Sequence, residues 1–276
     1  LPAMQRLPAI YETVGDEMRP VLDWRRAQGL VSAVPNLPNG FFIAPDLEAL
    51  NTALSAPDRA LLGETQEQWL SSELAGSAQV GTTWQVLGNQ VLVAPLTAPD
   101  LSATPPALAQ ALERLSPGVT QLLKFTRFPF PLNVDAWDGY PAVRARLLQS
   151  IRAASGNALI LTGDTHIAWA NEVADEQGRV AVEFGTTSVT SPSEAAYFSP
   201  FGVDFAAGVR ARNPHIKYTD PEHHGFLLLT LSKEQALAEF FAVSTILSKT
   251  FETTRVAAFS VAPEAGPAVG AITAAT

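Results

Sequence analysis

Asn157-Ala158-Leu159-Ile160-Leu161-Thr162-Gly163-Asp164-Thr165-His166 is the stretch that decides how this chain is read. Asn157–Thr162, with four consecutive apolar residues at Ala158 to Leu161, reads as a strand buried on both faces. Strands of that kind belong to layered α/β domains, in which helices cover the sheet. The run stops at Gly163, and a carboxylate and an imidazole follow two positions apart. Strand ends carry the sites of such folds. The pair can bind one metal ion or two neighbouring ones. Alternatively Asp164 can orient His166 for proton transfer, or the histidine can simply stand in a turn capped by the aspartate.

Working outward, Tyr140–Ala154 has helical spacing at Arg144, Leu147, Leu148 and Ile151. Val180–Phe184 reads as a second strand, followed by Ile216–Tyr218, Phe226–Leu231 and Leu237–Val243. Upstream, Trp84–Leu87 and Val91–Ala94 read as two short strands split by Gly88-Asn89. Helices are expected after Asp46, after Thr65, over Gly15–Leu30, over Ala107–Leu115 and over Pro192–Phe205. Residues 97–132, rich in Pro, Ala and Leu, read as a surface excursion. The end of the chain, Val261–Thr276, has no periodicity and is expected to pack weakly. Three segments result: a lead-in at 1–60, a main domain at 61–250 and a low-complexity tail at 251–276.

Composition narrows the function. The 276 residues are 47% hydrophobic and only 16% charged, with a net charge of −9. A share of charge below the usual quarter fits a surface partly covered by something else, or an extracellular protein. An acidic chain lacks the basic field that nucleic-acid binding needs. No apolar run reaches the ~18 residues of a membrane span. There are no cysteines, which excludes disulfides, thiolate zinc sites and thiol nucleophiles and suits an oxidising compartment.

Other stretches could carry chemistry. Asp135-Ala136-Trp137-Asp138-Gly139-Tyr140 packs two carboxylates and two rings ahead of a helix. It can line a pocket, or Asp138 can cap the helix with Trp137 as a core plug. His215, His223 and His224 bring three of the four histidines into ten residues. Glu183-Phe184-Gly185-Thr186-Thr187-Ser188 ends a strand in small hydroxyls that can bind an oxyanion or cap a turn. Gly88-Asn89-Gln90 resembles the opening of a Gly-Asn-His metal motif but lacks the histidine. Gly15-Asp16 has no second carboxylate at ligand spacing. There is no Gly-x-Ser-x-Gly elbow and no phosphate-cradling glycine loop.

In order along the chain, Gly88-Asn89-Gln90-Val91, Asp135–Tyr140, Leu161–His166, Glu183–Ser191 and Asn213–Tyr218 resemble the C-terminal part of PhoD-like alkaline phosphatases. That family belongs to the calcineurin-like metallophosphatases. The resemblance implies an α/β fold, part of a four-layered α/β/β/α sandwich. It also implies hydrolysis of phosphate mono- or diesters at a centre of two or more cations, calcium with iron, other divalent metals being possible. The superfamily's Gly-His-x-His stands here as Gly163-Asp164-Thr165-His166, so Asp164 and His166 are the expected cation holders. Asp138, Tyr140 and His224 are expected to line the mouth. A periplasmic or extracellular location follows from the same likeness.

The family's upstream motifs, including the aspartate that bridges the metals, do not occur in this chain. Two neighbouring cations need on the order of seven or more donors between them, and one pair is found. The expectation is therefore a complementary N-terminal segment, cut from the same precursor or supplied by another chain. The rival expectation is a non-catalytic binding or structural subunit that retains half of the fold.

Overall fold

The structure, a computed structural model, describes residues 9–14, 17–21, 26, 29–30, 37–44, 47–115, 120, 123–124, 126–193 and 203–276. Strands β1 (Ala9–Val14), β2 (Glu17–Pro20) and β3 (Phe41–Ala44) precede helices α1 (Leu47–Leu54) and α2 (Glu64–Gln79). Strand β4 (Trp84–Gly88) and helix α3 (Pro106–Leu115) follow, then helix α4 (Pro141–Ala154) and strands β5 (Asn157–Thr162), β6 (Ala168–Asp175) and β7 (Gly178–Gly185). Helix α5 (Phe205–Arg212) leads into β8 (Ile216–Asp220), β9 (Gly225–Leu231), β10 (Ala236–Val243), β11 (Thr253–Val261) and β12 (Thr273–Ala274).

Contacts divide the chain into two units. One comprises Leu1–Leu54 and Ala98–Phe130. Its three-stranded antiparallel sheet runs β2-β1-β3, and Tyr11 meets Phe128 edge-on with ring centroids 5.4 Å apart. The other unit, Ser55–Thr97 and Pro131–Thr276, holds Asn157–His166.

That second unit stacks two sheets. The first has the order β4-β5-β7-β6-β8, with β4, β5 and β7 parallel and β6 antiparallel to both β7 and β8. The second is antiparallel, β12-β11-β10-β9. Side chains alternate along a strand, and here both sets are covered. Ala158 and Ile160 pack with Leu74 of α2 and with Val143, Leu147 and Ile151 of α4. Leu159 turns the other way, with Val182 and Phe184, onto Ala236, Ala238 and Phe240 of the second sheet. The unbroken apolar run of β5 thus follows from a layer on each side. Burying Leu159 and Ile160 contributes about 1.5–3 kcal/mol each. The fold is α/β, and three of the sandwich layers, α/β/β, are formed by the described residues.

Several local expectations change. Val91–Ala94 is not a strand; the Val93 and Ala94 amides donate to the Glu183 carboxylate instead of to a ladder. Met18 lies in β2 rather than in a helix, whereas Arg26, Gly29 and Leu30 are helical; Gly15, Asp16, residues 22–25 and residues 27–28 lie outside the described residues. Pro192 and Ser193 are not helical, and residues 194–202 lie outside the described residues. The helix starts at Phe205, where Asp204 Oδ1 accepts from the Ala207 amide at 2.8 Å. Within residues 97–132, Leu108, Leu112, Leu123 and Phe128 are buried, so the excursion is part of a core. The end of the chain packs firmly. Val261 and Val269 are fully buried, the Val269 carbonyl accepts from Arg179 at 2.8 Å, and Glu172 accepts from the Ile272 amide at 3.1 Å. Among the described residues no helix is long and apolar enough to cross a membrane.

Candidate functional site

β5 and β7 are parallel neighbours and end side by side, Thr162 opposite Gly185. The Thr186 amide extends the pairing to the Thr162 carbonyl at 2.9 Å. The loops that follow, Gly163–His166 and Thr186–Ser191, therefore leave the sheet together. The β8–β9 connection joins them. Thr187 Oγ1 lies 3.1 Å from the His166 carbonyl and 2.9 Å from the His223 carbonyl, so one hydroxyl proton serves both. His224 Nδ1 lies 3.1 Å from Ser188 Oγ.

The Gly163–His166 loop has an unusual backbone. Asp164 (φ 72°) and His166 (φ 58°) are both left-handed, a state shared by only one other non-glycine residue among those described, Ser155. Each such residue costs on the order of 1 kcal/mol and persists only where its surroundings enforce it. Asp164 is exposed and His166 half-buried. His166 Nδ1 is 3.0 Å from the Pro192 carbonyl. A carbonyl only accepts, so Nδ1 carries a proton, and in the neutral ring the lone pair then falls on Nε2, the tautomer a metal-ligating imidazole uses. His223 Nδ1 likewise meets Asp220 Oδ2 at 2.8 Å. Burial works to raise the Asp220 carboxyl, but the Glu222 amide and the His223 ring and amide outweigh it and hold the group low. Tyr218 is pushed up by burial and by the Asp220 charge beside it. A cleft of about 470 Å³ opens against Tyr218, Asp220 and His223.

Cation binding can be judged from these donors. A carboxylate and an imidazole with Nε2 free fit as part of a site. Among the described residues, no three His, Asp or Glu side chains gather closely enough to hold a metal unaided.

The other expected site residues form a second group. Asp138 does not cap α4, whose first position is Pro141 and whose cap, Tyr140, makes no side-chain bond. Asp138 Oδ2 accepts from the Leu96 amide at 2.8 Å, and burial pushes its carboxyl up despite that amide and Arg144. Trp137 is the core plug expected, 1% exposed. Tyr140 packs against the helix-side core, with the Arg59 guanidinium 4.8 Å from its ring centroid. His215 Nε2 donates to the Pro95 carbonyl at 2.8 Å, and burial lowers its pKa.

Glu183 was the residue that sequence reasoning missed. It is fully buried, and burial raises its carboxyl against the Val93, Asn171 and Ala94 donors and the Arg144 charge. The available signal was a carboxylate inside the apolar run Val180–Phe184, where a charge is found only with partners.

Comparison with known proteins bears on this arrangement. The PhoD-like phosphatase family matches residues 18–240. Alkaline phosphatase D of Bacillus subtilis (strain 168) is 28% identical over 193 residues, which cover 67% of this chain and 27% of that protein. The solved structure of PhoD superposes with a TM-score of 0.57 at 24% identity, covering 84% of this chain and 38% of that one. The match thus spans about a quarter of the curated relative's length.

Proposed function

This chain belongs to the PhoD-like phosphatase family, and from that premise we propose that it is the portion of a metal-dependent phosphoric ester hydrolase that supplies Asp164 and His166 to the cation centre. The observation that carries the reading is the Gly163–His166 loop. Two donors, two positions apart, follow a buried strand in a strained backbone, and the Pro192 carbonyl takes the Nδ1 proton of His166, which leaves Nε2 for a cation in the neutral ring. Strain of this kind concentrates at functional sites.

In this proposal Asp164 offers an oxygen suited to a hard cation such as calcium, and His166 a nitrogen suited to iron or another divalent metal. Bound cations supply Lewis-acid stabilisation of charge on a phosphate mono- or diester. Thr187 holds the His166 carbonyl and keeps the loop against the β8–β9 connection, and His224 lines the mouth.

A complementary segment, from the same precursor or another chain, brings the remaining donors. Two features support it besides the small donor set. Among the described residues β4 and β9 are edge strands; Trp69 (59% exposed) and Val86 line one cleft at β4, and Phe226 and Leu228 are exposed on β9. Unpaired strand edges with apolar surface are normally covered. The absence of cysteine suits the proposed periplasmic or extracellular location.

The rival reading is a non-catalytic subunit, which the two-donor set also favours. Hydrolysis of p-nitrophenyl phosphate and its bis-ester by the protein expressed from its complete reading frame separates the two. The enzyme reading requires turnover that falls on Asp164→Asn; the rival requires neither turnover nor tightly held metal.

A further inference from the structure

The segment Val93–Thr97 crosses the second unit outside both sheets, paired by backbone only at its end, where Thr97 bridges Pro131 and the Leu96 carbonyl accepts from the Leu132 amide at 2.7 Å, yet Val93, Ala94 and Leu96 are buried. Buried backbone without a ladder must be satisfied by other groups. Here side chains serve the remaining groups. The Val93 and Ala94 amides donate to Glu183 at 2.6 and 3.2 Å, and Arg144 Nε donates to the Val93 carbonyl at 2.6 Å. Asp138 takes the Leu96 amide at 2.8 Å. Asn213 bonds both the amide and the carbonyl of Thr97 at 2.9 Å. Asn171 Nδ2 holds the Glu183 carboxylate from the other side at 2.9 Å. These groups come from the Trp137–Gly139 turn, α4, β6, β7 and the turn before β8, and they converge on one five-residue segment.

The strap leads to the site loop. Leu92 and Leu96 pack in one cluster with Ile167 and Trp169, which directly follow the loop. Trp169 is 1% exposed, and its Nε1 donates to Thr165 Oγ1 at 2.7 Å, between the left-handed Asp164 and His166. A strained backbone needs such an external constraint.

We propose that Glu183, Arg144 and Asp138 are positioning residues: they clamp the Val93–Thr97 strap, which through Leu92, Leu96 and Trp169 imposes the backbone of Gly163–His166. The functional meaning of the clamp rests on the reading of Asp164 and His166 given above; its geometry does not.

The test follows the Trp169 indole N–H by NMR, identified among the five tryptophans as the signal lost in Trp169→Phe. Glu183→Gln should make that proton exchange about tenfold faster or more and shift the Gly163–His166 amide signals. The Ala238 and Phe240 amides in β10 should keep their protection. A clamp that serves stability alone would lower the melting temperature of Glu183→Gln and leave the indole and loop signals of the folded protein in place; that result would overturn the proposal. If Glu183→Gln does not fold, Asp138→Ala, which removes only the Leu96 acceptor, is judged by the same signals. Global unfolding of both variants would also overturn it, assigning the clamp to folding. The readout needs no turnover, so failure of the phosphatase reading leaves this result standing.

Discussion

Substituting alanine for Gly139 should destabilise the protein by about 2–5 kcal/mol. The sign is the informative part. Gly139 does not have a left-handed backbone, and at ordinary dihedrals Gly→Ala stabilises by about 0.4–1 kcal/mol through the unfolded chain. Conformational freedom alone therefore forecasts a small gain. The surroundings forecast a loss. A Cβ at this position would stand 1.7 Å from the Val134 carbonyl oxygen and 2.7 Å from its carbon. Both are backbone atoms, so relief needs the peptide or the Trp137–Gly139 turn to move by about 1.5 Å, an overpacking cost of about 1–3 kcal/mol. The same turn holds the buried Trp137 and aims Asp138 at the Leu96 amide. Losing a hydrogen bond to a charged acceptor adds about 1.5–3 kcal/mol. Urea unfolding followed by tryptophan fluorescence reads the difference directly. A Gly139→Ala variant as stable as the parent, or more so, would refute the close-approach argument.

Three further outcomes are expected. Val269→Ala should cost about 2 kcal/mol in urea unfolding, because the side chain is fully buried; no loss would mean that the end of the chain is not part of the core. Thr187→Val, which keeps the shape but removes the proton shared by the His166 and His223 carbonyls, should cost about 1 kcal/mol, with faster amide exchange confined to the loops after β5, β7 and β8. Asp175 is held low chiefly by its paired bonds from Arg152, both 2.6 Å. A depressed carboxyl stabilises the fold above its unfolded value of about 3.9, and the contribution is lost as pH falls through the folded one. Asp175→Asn should therefore be about 1 kcal/mol less stable at pH 7, with a gap that closes in acid; a gap constant down to the lowest pH at which the protein folds would contradict this.

Some of the fold was legible because one local pattern had one cause. β5 was read to its ends, since layers on both faces leave an unbroken apolar run. β6 was not, because Asn171 and Glu172 interrupt it. Asn171 is buried to hold Glu183, and Glu172 faces Arg179 and Lys217. β11 carries Arg255, which pairs with Glu239, and so did not look like a strand. In the tail, single buried residues such as Val269 have no period to betray them. The site loop was found from its glycine and paired donors, whereas the use of Asp138 was not. Its partner, Leu96, lies 42 residues away, and the capping residue expected from the local pattern makes no contact visible in sequence. Glu183 stands out as a carboxylate in an apolar run, but its partners at Val93 and Ala94 lie about 90 residues away and have no local trace.

Metal content and phosphoric ester turnover of a His166→Ala variant, measured together on the protein expressed from its complete reading frame, test the central claim most directly. The parent should hold calcium and iron, or their substitutes. The variant should show a fall in metal content and a loss of kcat/KM of about a hundredfold or more, with the fold retained. A variant with full metal content and the parent's turnover would contradict the claim.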